Sequence, residues 1–217
     1  IIFLKKMDLI KYYSNKKVQE ILLNVSKNRE VVAKFNDNFG KRPDILQFDN
    51  DILEFVKKGA TSFHISEEHW SNPLTLKPGM IKSQLDNLRT GWDLILDIDG
   101  PLEFSKITAD LIVEALQFHD IENFTIKFSG NKGFHIAIPF NAFPDMVDNK
   151  KTKDLFPEGP KVIASYLKEM IKETLTARLI EKLPQEELNK YKEKLDPFSI
   201  VDIDTILISN RHMFRAP

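Results

Sequence analysis

Two aspartates separated by one residue, Asp97 and Asp99, close the apolar run WDLILDID from Trp92 to Asp99. If that run is a strand, the period of two turns both carboxylates to one face of its sheet. Such a pair can bracket a divalent cation, because a hard ion such as Mg²⁺ or Mn²⁺ relieves both the mutual repulsion and the desolvation of acids ending a buried strand. The pair can equally cap the strand before the turn formers Gly100 and Pro101. Asp202 and Asp204 repeat the spacing inside SIVDIDTILI, where an unpartnered buried charge would be costly. Were the two runs neighbours, Asp97, Asp99 and one of the second pair would form a three-carboxylate site of the kind that two-metal nucleotidyl transfer uses.

A second cluster lies between them. In Ser129-Gly130-Asn131-Lys132-Gly133, followed by His135, two glycines let backbone N–H groups approach a ligand, while a hydroxyl, an amine and an imidazole supply donors suited to a triphosphate. An ordinary hairpin loop explains the glycines as well, and the Walker pattern GxxxxGK[ST] is absent. Arg211, His212 and Arg215 follow the second acidic run, and arginine forks match phosphate oxygens, although surface ion pairs would use the same residues. His64, Glu67, Glu68 and His69 lack the HExxH spacing of a zinc helix. With no cysteine and no GxSxG elbow, covalent hydrolase chemistry is not indicated.

The elements that must position these groups can be read from periodicity. Residues up to about 60 read as helical: Val18, Ile21, Leu22 and Val25 share a helical spacing after Asn15, and Asp49 or Asn50 can cap a short helix ending at Gly59. Thr61 to Ser66 is a candidate strand. The middle reads strand (Trp92–Asp99), helix capped by Ser105, strand (Phe124–Phe128), turn, strand (Phe134–Phe140), which is half of a ferredoxin-like or RNA-recognition-type sheet. Residues 145–196 read as solvated helices broken by Pro157, Pro160 and Pro184, and Ser199 to Ile208 as a last strand.

Composition sets the bounds. The 217 residues are 42% hydrophobic and 29% charged, enough for one good-sized core or two small ones. Lys plus Arg (31) nearly cancels Asp plus Glu (32), so the net charge of −1 supplies no global field for polyanions, and any such site must be local. The absence of cysteine excludes a disulfide framework and thiolate zinc and fits a reducing compartment. No apolar window is long enough to span a membrane. Met7 suggests where the natural reading frame starts, and the ending Arg215-Ala216-Pro217, inside structured-looking sequence, suggests a fragment of something longer.

Three segments, in order, resemble the archaeo-eukaryotic primase superfamily, specifically the catalytic small subunit of archaeal and eukaryotic DNA primase. LILDIDG looks like its metal-binding DxD motif, FSGNKGFHI like its SG-x-R/K-G-x-H nucleotide motif, and VDIDTILISNRHMFRAP like its third motif, an aspartate followed by a basic residue before proline. YYSNKK, REVVAKF, GKRP and GATSFH are similar to its N-terminal pattern, so the likeness spans most of the chain.

That resemblance implies an α/β (α+β) fold, a primase-type catalytic core with a mixed or antiparallel RRM-like sheet flanked by helices. It would be one continuous catalytic domain, with residues 1–90 its helical and irregular part and 91–217 the sheet-based core carrying an insertion at about 145–196. By the same likeness Asp97, Asp99 and Asp204 are metal ligands for two Mg²⁺ or Mn²⁺ ions. Asp204 is chosen over Asp202 although the family's spacing, counted back from Pro217, lands on Ile203. Ser129, Lys132, His135 and Arg215 would bind the nucleotide, as would Arg42, while Glu30 falls at an acidic position linked to the initiating nucleotide. The implied activity is template-directed synthesis of short primers from nucleoside triphosphates on single-stranded DNA, with a primase large subunit or fused equivalent as partner, in the cytoplasm at the nucleoid or in a nucleus. A repair or tolerance polymerase that extends primers is the alternative within the superfamily. Outside it stand a non-catalytic nucleic-acid-binding module and a metal-dependent nuclease, which would have no need of the SGNKGFH loop. The chain departs from the family in having no cysteines for a zinc knob, in Asn131 where a basic residue is common, and in ending before a downstream SLH-x-K segment.

Overall fold

The computed structural model describes residues 6–130, 132–184 and 195–216. They form two compact units, one of residues up to Trp92 together with the segment from Asn210, the other of Asp93–Ser209.

In the first unit the Asn15 side chain accepts a hydrogen bond from the Lys17 N–H (2.9 Å) and so separates two helices, α1 (Lys6–Tyr13) and α2 (Lys16–Ser26). Of the apolar residues spaced along α2, Leu22 is buried, whereas Ile21 faces solvent. The expectation of helix up to about residue 60 fails between them and the next helix. Val31–Phe35 (β1) and Asn38–Phe39 (β2) form a hairpin, because the β-branched pair Val31 and Val32 is buried in a sheet. Helix α3 (Asp49–Lys57) starts one residue after Phe48, and the Asp51 carboxylate accepts from the Gln47 and Phe48 N–H groups at its start. β3 (Ser62–Ser66) matches the candidate strand. The unit continues with β4 (Glu68–Trp70), α4 (Lys82–Leu88) and β5 (Arg89–Trp92), and β12 (Met213–Arg215) returns to it from the far end of the chain. The main sheet runs β12-β3-β1-β2, and β4 pairs with β5. Tyr13, Leu22, Val31, Ile52, Val56 and Phe63 fill the core.

The second unit holds β6 (Leu94–Asp99), α5 (Leu102–Phe118), β7 (Thr125–Gly130), β8 (Gly133–Ile138), the short pair β9 (Met146–Val147) and β10 (Lys150–Lys151), α6 (Glu158–Lys182) and β11 (Asp202–Asp204). Its principal sheet, β11-β6-β8-β7, is antiparallel throughout. Along β6 the side chains of Leu94, Leu96 and Ile98 are buried on the face that α5 covers with Leu111, Ile112, Ala115 and Leu116. Each such side chain contributes roughly 1.5–3 kcal/mol on burial, which fixes the opposite face as the one carrying Asp97 and Asp99. The architecture is mixed α+β with antiparallel sheets, as the sequence predicts.

Four local expectations differ. The run Trp92–Asp99 is interrupted at Asp93, whose carboxylate accepts from the Phe140 N–H (3.0 Å). Ser105 does not cap α5 but lies inside it, since Gly100-Pro101 already turns the chain and the helix begins at Leu102. Pro160 falls in the first turn of α6, where an N–H would have no intrahelical partner, so it does not break the helix. The lysine- and glutamate-rich residues 185–194, read as helix, lie outside the described residues. The expected strand Ser199–Ile208 shortens to β11 because Asp204 Oδ1 accepts from the Ile206 and Leu207 N–H groups (2.7 and 3.1 Å), curling the chain into a turn. Among the described residues no helix is long and apolar enough to cross a membrane.

Candidate functional site

The register of the second unit's sheet sets Asp204 opposite Asp97, Asp97 opposite His135 and His135 opposite Lys127. Residues directly opposite in an antiparallel pair share a face, so this is one row of acid, acid, imidazole and amine. Asp202 and Asp99 form a parallel row two residues on. The DxD strand and the last acidic run are therefore neighbours, and the hairpin β7–β8 that carries the SGNKG turn is their continuation. Lys127 was not singled out in the sequence, although its period-two relation to Ser129 in FTIKFS places it on the same face.

Gly133 packs directly against the acids. A Cβ there would run into the Asp99 carboxylate, the Ile98 carbonyl and the Ser129 hydroxyl. Glycine is thus required by close approach, and Ser129 and Asp99 flank the same point. Among the described residues Ser129 donates only a long bond to the Gly130 carbonyl (3.4 Å), and Lys132 is exposed in the turn. Gly133→Ala is expected to destabilise the protein by about 1–3 kcal/mol, as overpacking does, and to weaken any ligand held between turn and acids. Urea unfolding and Mn²⁺ titration would check the two effects, and an unchanged unfolding midpoint would contradict the contact.

The electrostatics suit a cation. His135 Nε2 stands 3.2 Å from Asp97 Oδ1, both side chains nearly buried, and Oδ1 makes no hydrogen bond among the described residues. Burial, and next the Asp97 charge, hold the Asp99 carboxyl above its usual range. Asp204 and Asp202 add to this and His135 opposes it. A buried carboxylate oxygen without a hydrogen bond, among acids that repel one another, is the donor set a hard divalent ion relieves. Among the described residues, however, no group of three His, Asp or Glu side chains converges as closely as a bound ion requires, so ligation would need side-chain rotation within the face. The two candidates for the third carboxylate differ. Asp202 pairs with Lys168 (3.1 Å), whereas Asp204 uses Oδ1 for its turn and makes no hydrogen bond through Oδ2 among the described residues.

Glu30, Arg42 and Arg215 belong to the first unit. Glu30 is fully buried and doubly forked: Arg42 donates through Nε and Nη2 (2.9 and 3.1 Å), and Arg211 through Nε and Nη2 (3.0 and 2.7 Å). Its carboxylate thus serves two guanidinium groups and is not presented to solvent. Arg211 adopts a left-handed backbone (φ 60°), donates its N–H to Glu68, and has its carbonyl held by Arg42 (2.7 Å). Glu68 in turn pairs with buried Arg89, which also reaches Asn210. This network, whose pairings the sequence reading did not anticipate, anchors the segment leading into β12, where Arg215 stands exposed opposite His64.

No protein-family model matches the chain. A stretch of 118 residues, 52% of the chain, is 31% identical to an uncharacterized protein of Methanocaldococcus jannaschii, and it spans 26% of that relative's length. Among solved structures, the polymerase domain of ligase D from Mycobacterium tuberculosis, in complex with DNA, superposes with a TM-score of 0.59 over 98% of this chain and 75% of that one, at 17% identity. The shared property is the fold, a mixed α+β arrangement.

Proposed function

We propose that the chain is a template-directed nucleotidyltransferase of the primase superfamily, the catalytic subunit of a DNA primase. The observation that carries this reading is the register that puts Asp97, Asp99 and Asp204 on one face with His135, beside a glycine turn abutting Asp99 and Ser129. Asp97, Asp99 and Asp204 would hold Mg²⁺ or Mn²⁺, which when bound supplies activation of a primer 3′-hydroxyl and neutralisation of the triphosphate. Ser129, Lys132 and His135 donate to the phosphate oxygens, and no side chain acts as a nucleophile. Nucleotide contacts for Arg42 and Arg215 belong to the same reading. Glu30, fully buried, would serve the initiating nucleotide through the guanidinium groups it holds in place. Single-stranded DNA is the template and nucleoside triphosphates the substrates. The near-balanced charge fits an enzyme that takes its grip on DNA from a partner, a primase large subunit or a fused equivalent.

A second reading, a polymerase that extends primers without starting them, is favoured by the fold likeness to a polymerase domain that forms part of a ligase. Calorimetric titration of a nucleoside triphosphate with Mn²⁺ and then EDTA tests what both share. Binding should require the metal and disappear in Asp97→Asn and His135→Ala. Metal-independent binding, or retention in both variants, would overturn the site. Synthesis on an unprimed template then separates initiation from extension.

A further inference from the structure

Among the described residues β11 is three residues long, lies at the edge of its sheet and has β6 as its one sheet neighbour, yet it carries both candidates for the third carboxylate. A strand that short holds its register weakly by itself. Lys168 of α6 supplies the missing restraint: its Nζ donates to Asp202 Oδ1 (3.1 Å) and to the Ile203 carbonyl (3.0 Å), and lies 4.6 Å from the centre of the Phe198 ring. The helix beneath is itself fixed, with Ala164, Leu167 and Ile171 buried on either side of Lys168.

Building on the nucleotidyltransferase reading, we propose that Lys168 is a positioning residue for the carboxylate site, clamping β11 at Ile203 so that Asp204 stays opposite Asp97, and neutralising Asp202 so that Asp204 is the third ligand. One amine performs both tasks because it grips backbone and side chain of adjacent residues. Asp202 and Asp204 share a face and lie two residues apart, so an uncompensated Asp202 would compete for the ion and add to the repulsion on Asp99. Outer partners that orient a metal ligand typically govern affinity by about 10–100-fold.

The test is calorimetric titration of Mn²⁺ alone, without nucleotide, into the full chain and four variants. Lys168→Met should weaken Mn²⁺ binding about 10–100-fold, and Lys168→Arg, which keeps the charge and two donors, should recover most of it. Asp202→Asn should bind within about twofold of wild type, while Asp204→Asn should lose detectable binding. Wild-type affinity in Lys168→Met, or a loss in Asp202→Asn equal to that in Asp204→Asn, would overturn the assignment while the metal site itself stood. If the unsubstituted chain takes up no Mn²⁺, with triphosphate or without, the nucleotidyltransferase reading falls and this one with it. Should Lys168→Met fail to fold, the two aspartate variants decide: equal losses reject the role, and a loss confined to Asp204→Asn supports it.

Discussion

Asp97→Asn is expected to lower metal-dependent nucleotide incorporation by about a thousandfold or more while raising the stability of the fold. The first effect follows from the share of catalysis a bound cation supplies, several kcal/mol of transition-state stabilisation, of which about 4 kcal/mol is a factor of about 10³. The second follows from the geometry. Asp97 Oδ1 is buried with no hydrogen bond among the described residues, and its charge adds to burial in raising the neighbouring Asp99. Replacing that charge by an amide removes the repulsion on Asp99 and gives up the contact with His135, a net gain of about 1 kcal/mol of the sort often found when functional residues are replaced. The two measurements, primer extension with Mn²⁺ and chemical unfolding, separate the functional role from the alternative in which Asp97 and Asp99 merely end a strand. A structural cap predicts the reverse pattern, lower stability and near-normal activity, and activity within tenfold of wild type would sink the assignment.

How much of this was legible beforehand depends on the range over which each feature is encoded. Local features were: the alternation in LILDID and the glycines of SGNKG act within a few residues, and they fall where expected, the first in a strand and the second where two strands join. The partnership of the two acidic runs rested on a conditional, that they be neighbours, and the register Asp97 to Asp204 meets it. What periodicity misled on was extent. SIVDIDTILI looks like a ten-residue strand, but the same Asp204 that suits a metal site also suits a turn, and two backbone N–H groups compete for it. β1 went unseen because its five residues sit between helical patterns and are buried only through pairing with β3. Lys168, in a stretch that reads as solvated helix, and Arg211, read as a phosphate ligand, owe their roles to residues 34 and 181 positions away. No spacing rule reaches that far.

Glu30→Gln should destabilise the protein by about 3 kcal/mol, the lower end of the range for breaking a buried ion pair. The lower end applies because Arg42 keeps 34% of its side chain in solvent and can rehydrate, whereas Arg211, at 16%, has less recourse. The amide retains the shape of the carboxylate but offers one acceptor oxygen to two guanidinium forks, so both arginines lose partners together and the Arg211 turn loosens with them. Acid provides an independent check with a definite sign. Burial alone would lift the Glu30 carboxyl, but hydrogen bonds and charge from Arg211 and Arg42 outweigh it and leave it below the usual range. A carboxylate with a lowered native value stabilises the fold above its unfolded value, and that contribution is lost as the pH falls through the native one. Glu68 acts oppositely. Burial outweighs Arg89 and raises it, so its charge works against the fold as the pH climbs past its unfolded value, and acid relieves that. Unfolding midpoints measured from neutral pH into acid should therefore fall less steeply in Glu30→Gln than in wild type, because the remaining Glu68 pulls the other way. Parallel curves, or a midpoint shift at neutral pH worth less than about 0.5 kcal/mol, would mean that the two arginines find other partners and that Glu30 does not hold the approach to Arg215 in place.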